Sequence, residues 1–152
     1  MTPWRKEVET AIDSFTTVAG LAGDSISIAD FEIEYLPAPH HPPTRLPAGK
    51  MAVYGFWGDG AWLKIGKAGP NSNARYTTHH YNPGSAQSTL AGSLMNDPRM
   101  LTVKGFDSRA AGDWIKLTTH RVNILLPSQR QKQLMALLEA FLHLRLRPRY
   151  EG

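Results

Sequence analysis

The sequence predicts an α/β (α+β) fold in which a small antiparallel three-stranded sheet is flanked by helices. Two short aromatic and aliphatic runs, residues 51–57 and 61–68, are joined by a Gly-Asp-Gly turn, a pattern typical of a β-hairpin. In a third run, residues 120–126, Val122, Ile124 and Leu126 alternate with Arg121, Asn123 and Leu125, as side chains do on the two faces of a strand. Apolar residues at helical spacing precede and follow these runs, which predicts the flanking helices.

The N-terminal part of the chain is acidic and is predicted to form an accessory segment. Residues 3–19 carry apolar side chains on one face of a helix, and residues 26–35 nearly alternate, as in an extended segment or edge strand. Residues 1–36 contain seven acids and two bases, a net charge of −5. We expect this segment to be distinct from the domain that follows.

A proline-rich linker, residues 37–49, follows the acidic segment. Five prolines between positions 37 and 47 favour a stiff, polyproline-like connection. The main domain is therefore predicted over residues 50–152. Residues 37–152 contain fifteen bases and six acids, a net charge of +9. This charge suits a polyanionic partner such as nucleic acid, although a merely basic solvated surface would show the same count.

The main domain begins with the hairpin and continues with helices on either side of the third strand. Helices are predicted over residues 70–81, 88–95, 110–118 and 128–147. Asn71 or Ser72 is a suitable cap for the first of them. Pro148 ends the last one, because proline cannot continue a helix.

Composition excludes several classes of protein. The chain has 152 residues, 41% of them hydrophobic and 20% charged, as in an ordinary globular domain. It contains no cysteine, which excludes disulfides and thiolate-bound zinc. The N-terminus lacks the layout of a signal peptide, and no apolar run reaches the length of a membrane span. We therefore expect a cytoplasmic protein that does not act at a membrane.

Glu139 is the only acid in the apolar run from Leu134 to Leu144. A carboxylate in such a helix is costly unless a cation or several hydrogen bonds compensate it. One interpretation is a ligand for Mg²⁺, which takes a single carboxylate together with waters and phosphate oxygens. The alternative is a buried salt bridge to an arginine.

Six positions occur in a characteristic order along the main domain: Tyr54, Lys64, Gly66, Arg75, His79 and Glu139. Residues 52–54 (Ala-Val-Tyr) and 64–66 (Lys-Ile-Gly) correspond to the two halves of a motif on successive strands. Through this motif and the residues that follow it, the region of about residues 50–151 resembles the GIY-YIG nuclease family. Two positions depart from the family pattern. Lys64 replaces the tyrosine of the second motif, and Glu151 lies near the position of a frequent asparagine.

The resemblance implies a GIY-YIG fold and a divalent-metal-dependent endonuclease that hydrolyses phosphodiester bonds by a one-metal mechanism. Tyr54 would orient or deprotonate the attacking water, and Lys64 would supply the cation that a phenol needs to act near neutral pH. Arg75 and His79, one helical turn apart, would act on the phosphate. Glu139 would bind Mg²⁺, or Mn²⁺ in its place. Taken singly, Tyr54 is equally well explained as a core tyrosine, and Arg75 as a surface arginine.

A second set of residues is predicted to hold the DNA backbone, since DNA is the expected nucleic acid rather than RNA. The set contains Lys67, Tyr76, His80, Arg145, Arg147 and Arg149. The arginines at the end of the last helix have a simpler explanation, because cations stabilise helix C-termini. The histidine pairs 40–41 and 79–80 are poor zinc sites, because a proline-rich linker makes a poor cage and adjacent histidines on a helix diverge.

Two further hypotheses remain open at this stage. A nuclease fold that binds nucleic acid or a protein without cutting is the alternative to an enzyme, since Lys64 and Glu151 depart from the family pattern. The acidic segment is expected either to compete with nucleic acid for the basic domain or to mediate a homodimer.

Overall fold

The computed structural model describes residues 2–84 and 88–150, which form a mixed helix and sheet structure. The strands are β1 (Glu32–Leu36), β2 (Lys50–Gly58), β3 (Ala61–Ala68) and β4 (His120–Pro127). The helices are α1 (Pro3–Leu21), α2 (Asn73–Thr77), α3 (Leu90–Met95), α4 (Ala111–Thr118) and α5 (Lys132–Leu146). Short 3-10 segments cover Ile28–Asp30, His79–Tyr81, Pro98–Thr102 and Ser108–Ala110. Within the described part of the chain, no helix is both long and apolar enough to cross a membrane.

The sheet is antiparallel and flanked by helices, which confirms the predicted class, but it has four strands rather than three. Its order is β1-β4-β2-β3. The prediction of three strands was wrong because the extended N-terminal segment pairs with β4, Glu32 opposite Leu125 and Leu36 opposite Arg121. This pairing makes β4 a central strand whose backbone groups are satisfied on both edges.

The hairpin of β2 and β3 fixes the register of the candidate site. Asp59 and Gly60 have φ of 52° and 73°, as a two-residue turn of the type favoured in hairpins requires. A register shift lies between Phe56 and Trp57. Tyr54 therefore lies opposite Gly66, and Lys64 opposite Phe56. Tyr54 and Lys64 are thus diagonal neighbours on one face of the sheet.

The two faces of the sheet are covered by different helices. Helices α1 and α5 pack on one face, where Met51, Val53, Ile65 and Ile124 are buried in a wholly apolar cluster. The other face carries buried aromatic and polar side chains beneath α2, α3 and α4: Tyr54, Phe56, Lys64, Arg121 and Asn123. This second face holds the candidate site.

The N-terminal segment shares the sheet and the apolar core with the rest of the chain. Trp4 of α1 is buried and stacks on His120 at a centroid distance of 4.8 Å. Arg130 forms salt bridges with Asp24 at 3.1 Å and Asp30 at 3.3 Å. The acidic segment is therefore docked against the basic part of the chain by aromatic stacking and by ion pairs.

The proline-rich linker is held against α4. The His40 backbone N–H donates to the Lys116 carbonyl at 2.8 Å. The buried imidazole of His40 lies 2.8 Å from both the Thr119 carbonyl and the Tyr81 hydroxyl. These contacts attach the linker to the polar face of the sheet, next to the candidate site.

Candidate active site

The phenol of Tyr54 lies at the centre of the polar face and crosses over strand β3 at Gly66. Tyr54 is 1% exposed. A Cβ atom at position 66 would lie 2.8 Å from the Tyr54 hydroxyl oxygen and 2.9 Å from its Cζ, closer than packed atoms approach. Gly66 is therefore required because its missing side chain leaves the space that the phenol occupies.

His80 is the group in closest contact with the Tyr54 hydroxyl. Its Nε2 lies 2.7 Å from the phenol oxygen, and its Nδ1 accepts from the Leu90 backbone N–H at 3.2 Å. Burial, with help from the charge of Arg121, lowers the pKa of His80 to about 3, so the ring is neutral at physiological pH. In a neutral imidazole whose Nδ1 accepts, the proton sits on Nε2. His80 thus donates to Tyr54 and would stabilise a negative charge on its oxygen.

The two adjacent histidines do not lie as the predicted helix would place them. The helix expected over residues 70–81 ends at Thr77, and His79–Tyr81 form a 3-10 turn. The hydroxyls of Thr77 and Thr78 donate back to helix carbonyls at 2.9 and 3.3 Å. Because the helix ends there, His79 does not continue the face that carries Arg75. His80, predicted as a DNA contact, is instead 4% exposed and bonded to Tyr54, which contradicts that prediction.

Lys64 is a basic residue buried in the interior of the site. It is 2% exposed, and its Nζ lies 3.5 Å from the Ser88 hydroxyl. Burial lowers the pKa of Lys64, and so does the like charge of Arg75. Among residues 2–84 and 88–150, no carboxylate forms a salt bridge with Lys64. An ammonium group in this setting favours an anionic ligand.

Arg75 and Glu139 lie at the rim of the site. Arg75 is exposed, and its carbonyl lies 3.5 Å from the Tyr54 hydroxyl. Glu139 is close enough for its charge to raise the pKa of both Tyr54 and Lys64. Burial is the largest cause of the raised pKa of Tyr54, and the positive charges of Arg121 and then Arg75 oppose it. Of the residues predicted to be catalytic, Arg75 therefore contacts Tyr54, and Glu139 acts on Tyr54 and Lys64 through its charge.

The Glu139 carboxylate is engaged by a lysine, not by the arginine considered from the sequence. Lys67 Nζ lies 2.8 Å from Glu139 Oε1, and the two side chains are 41% and 19% exposed. Within the described ranges, no group of three or more His, Asp or Glu side chains is arranged around a metal position. A single, partly exposed carboxylate nevertheless has the donor chemistry of a Mg²⁺ site completed by waters and phosphate oxygens, provided that Lys67 yields its contact.

The residues predicted to contact DNA are dispersed. Tyr76 is 1% exposed with its hydroxyl 3.5 Å from Glu34, so its burial contradicts a contact with the DNA backbone. Arg145 lines a cleft beside α1, on the apolar side of the sheet. Arg149 pairs with Asp59 at 3.2 Å. Arg147 is exposed at the end of α5.

The C-terminal residues run along the outer edge of β3. The backbone N–H groups of Arg149 and Tyr150 donate to the carbonyls of Trp62 and Leu63, both at 2.9 Å. These bonds extend the hydrogen bonding of the edge strand next to Lys64. Glu151, named above as a departure from the family pattern, lies outside the described residues.

Arg121 is a feature of this site that sequence reasoning missed. It is 0% exposed, on the central strand β4, with its guanidinium carbon 4.9 Å from the centroid of the Tyr54 ring. In the sequence, Arg121 and Asn123 alternate with apolar residues and resemble the solvent-facing side of a strand. The signal is misleading because helices cover both faces of this sheet.

Comparisons with known proteins returned no match: no family model fits the chain, and no curated protein or solved structure is significantly similar to it.

Proposed function

We propose that the protein is a divalent-metal-dependent endonuclease that hydrolyses phosphodiester bonds, with DNA as substrate. The observation that carries the proposal is the buried phenol of Tyr54, which has the Arg75 carbonyl 3.5 Å from its oxygen and lies on the same face of the sheet as the buried Lys64. The charge of Glu139 acts on both Tyr54 and Lys64. A buried ammonium group, an exposed guanidinium and a single carboxylate are the groups that phosphoryl chemistry requires. The net charge of +9 over residues 37–152 suits a polyanionic substrate.

In the proposed mechanism, Tyr54 orients the attacking water and, once ionised, takes a proton from it. The Nε2–H of His80 stabilises the negative charge of the phenolate, since it donates to the same oxygen. Arg75 and Lys64 bind the phosphate oxygens and stabilise the charge that develops on them. Glu139 would hold a Mg²⁺ or Mn²⁺ ion, which supplies Lewis-acid stabilisation of the phosphate when bound.

The proposal is tested by incubating the purified protein with plasmid DNA and with single- and double-stranded DNA and RNA oligonucleotides. Cleavage is expected only with Mg²⁺ or Mn²⁺ and is expected to be abolished in Glu139→Ala with the fold retained. The matched control is Glu32→Ala, which removes a carboxylate that is also paired with a lysine, Lys50 at 3.5 Å, but lies on β1 at the opposite edge of the sheet from β3; this variant is expected to keep activity. Metal-dependent cleavage by purified, folded Glu139→Ala would refute the mechanism.

A second candidate function, a module that binds nucleic acid without cutting it, is favoured by one observation. The Glu139 carboxylate is already paired with Lys67 at 2.8 Å, and this pairing competes with a metal ion. On this hypothesis the wild type binds the same oligonucleotides in a salt-dependent manner but leaves them intact in every metal. The cleavage assay therefore separates the two functions.

A further inference from the structure

The side chain of Arg121 is the most deeply buried charge on the polar face. It projects from β4 and donates three hydrogen bonds, from Nε to Asn123 Oδ1 at 2.7 Å, from Nη1 to the Tyr81 hydroxyl at 3.1 Å and from Nη2 to the Tyr76 carbonyl at 2.6 Å. The last of these bonds reaches helix α2, and the second reaches the 3-10 turn His79–Tyr81. Arg121 therefore ties the sheet to both segments that complete the site.

Four aromatic rings surround this guanidinium. Its central carbon lies 4.9 Å from the ring of Tyr54, 5.1 Å from Phe56, 5.0 Å from Tyr76 and 6.0 Å from Tyr81. Each distance is within the range of a cation–π interaction. The rings hold the cation through their faces and leave its charge un-neutralised.

Every hydrogen-bond acceptor of Arg121 is neutral. In the two described stretches of chain, no Asp or Glu forms a salt bridge with it. Burying a charge without a counter-ion is costly, and an apolar residue of similar volume would stabilise a core at least as well. A stability role alone therefore does not account for an arginine at this position.

Tyr54 is the phenol of the candidate site on which this charge acts, through the face of its ring. Arg121 from β4, His80 from the 3-10 turn, and Arg75 and Tyr76 from α2 contact Tyr54. Lys64 of β3 is a diagonal neighbour on the same face of the sheet, and the charge of Glu139 from α5 also acts on Tyr54. Of the charged groups, Arg121 makes the largest contribution to lowering the pKa of the phenol, against the effect of burial. Glu139 acts in the opposite direction.

We infer that Arg121 is the positioning residue of the site, which fixes the Tyr54 ring between the sheet and α2 and supplies the positive field that favours an anionic phenol oxygen. The role in catalysis rests on the proposed function, but the effect on the phenol does not. Arg121 itself contacts no substrate, because it lies beneath the tyrosine. Its charge, more than its shape, is expected to matter.

The test replaces Tyr54 with a fluorinated tyrosine, whose phenol ionises at lower pH, and follows its titration by ¹⁹F NMR without substrate or metal. In Arg121→Gln and Arg121→Met, the midpoint is expected to move to higher pH. In Arg121→Lys, which keeps the charge, it is expected to return most of the way to the original value. The same label at Tyr150, which is bonded to Asp97 at 2.6 Å and lies outside the aromatic cage, is the control and should not shift.

Cleavage assays then connect the phenol to the reaction. We expect the neutral variants to lose about tenfold or more of the cleavage rate, with the loss smaller at high pH, and Arg121→Lys to regain activity. If no variant or wild type cleaves, the proposed function fails while the ¹⁹F titration still decides the effect on Tyr54. An unchanged Tyr54 midpoint in a folded neutral variant would overturn the inference. So would failure of both neutral variants to fold, since Arg121 would then be needed for folding itself.

Discussion

The two faces of strand β4 differ in what they bury. Val122, Ile124 and Leu126 point into the apolar cluster between the sheet and helices α1 and α5. Arg121 and Asn123 point to the opposite face, where Arg121 is buried among aromatic rings and Lys64 is buried as well. The apolar face gains stability from burial alone. On the polar face, the cost of burying charged side chains near one phenol offsets part of that stabilisation. Such a cost is common at functional sites.

Replacing the phenol is expected to have the largest effect on the polar face. Tyr54→Phe removes the oxygen that orients water and is expected to lower cleavage by about a hundredfold or more. The control is Val53→Ala, whose side chain is the next one along β2 but lies on the apolar face. That variant should lose stability and keep its rate per folded molecule. Equal cleavage rates for wild type and Tyr54→Phe would show that the Tyr54 hydroxyl is not needed for cleavage. The proposed functional difference between the two faces would then fail.

On the apolar face, the largest effect is expected in the free energy of unfolding. Leu138 of α5 is 0% exposed within the apolar cluster, and Leu138→Ala is expected to cost about 2–5 kcal/mol because it leaves a cavity. Urea denaturation measures the loss. Cleavage below the new unfolding transition should be unchanged, whereas a stable but inactive Leu138→Ala protein would show that this face contributes to the site.

Local patterns along the chain predicted much of this division, because hairpins and amphipathic helices are encoded by near neighbours. The Gly-Asp-Gly turn predicted the pairing of β2 with β3, and the run from Leu134 predicted α5. The pairing of β1 with β4 joins residues about ninety positions apart, and no local signal specifies such a partner. The three-stranded sheet was wrong for this reason.

Residue order along the chain was enough to select part of the candidate site. It was not enough for residues whose part in the site depends on the direction of the side chain. Residue order indicated that Tyr54 and Arg75 lie close together, and the Arg75 carbonyl is 3.5 Å from the Tyr54 hydroxyl; the catalytic roles of Tyr54, Lys64, Arg75 and Glu139 stay predictions. The helix predicted to continue through residue 81 ends at Thr77, and it is His80 whose ring contacts Tyr54. Arg121 could not be recognised, because alternation in a strand does not show whether the polar row meets water or a second layer of helices.

Paired glycine substitutions compare the two faces at a finer scale. A methyl group at Gly66 would lie 2.8 Å from the Tyr54 oxygen, and one at Gly55 would lie 3.1 Å from the Trp62 ring. Gly66→Ala is expected to displace the phenol and lower cleavage by about tenfold, whereas Gly55→Ala should change stability alone, by about 1–3 kcal/mol. Cleavage rates and unfolding curves of both variants measure the contrast. A fully active Gly66→Ala protein would contradict the proposed position of the phenol.

The pH dependence of stability probes the neutral state of His80. Burial lowers its pKa to about 3 in the folded protein, while an unfolded histidine has a pKa of about 6.5. The unfolded chain therefore binds the additional proton between these values, and stability falls as pH decreases from about 6.5 towards 3. The slope contributed by His80 reaches about 1.4 kcal/mol per pH unit.

His80→Gln keeps an N–H donor for Tyr54 but cannot titrate. The free energy of unfolding of this variant, relative to that of the wild type, should therefore rise steadily as the pH falls below about 6.5. Denaturation curves at several pH values between 4 and 7 measure this difference. His41→Gln, at an exposed position of the linker, is the matched control and is expected to keep the shape of the wild-type curve. A wild-type protein whose stability relative to His80→Gln does not change with pH would show that His80 is protonated in the folded state. It would then donate from both ring nitrogens, and the bond from the Leu90 N–H could not exist, so the link between α3 and the tyrosine would be lost.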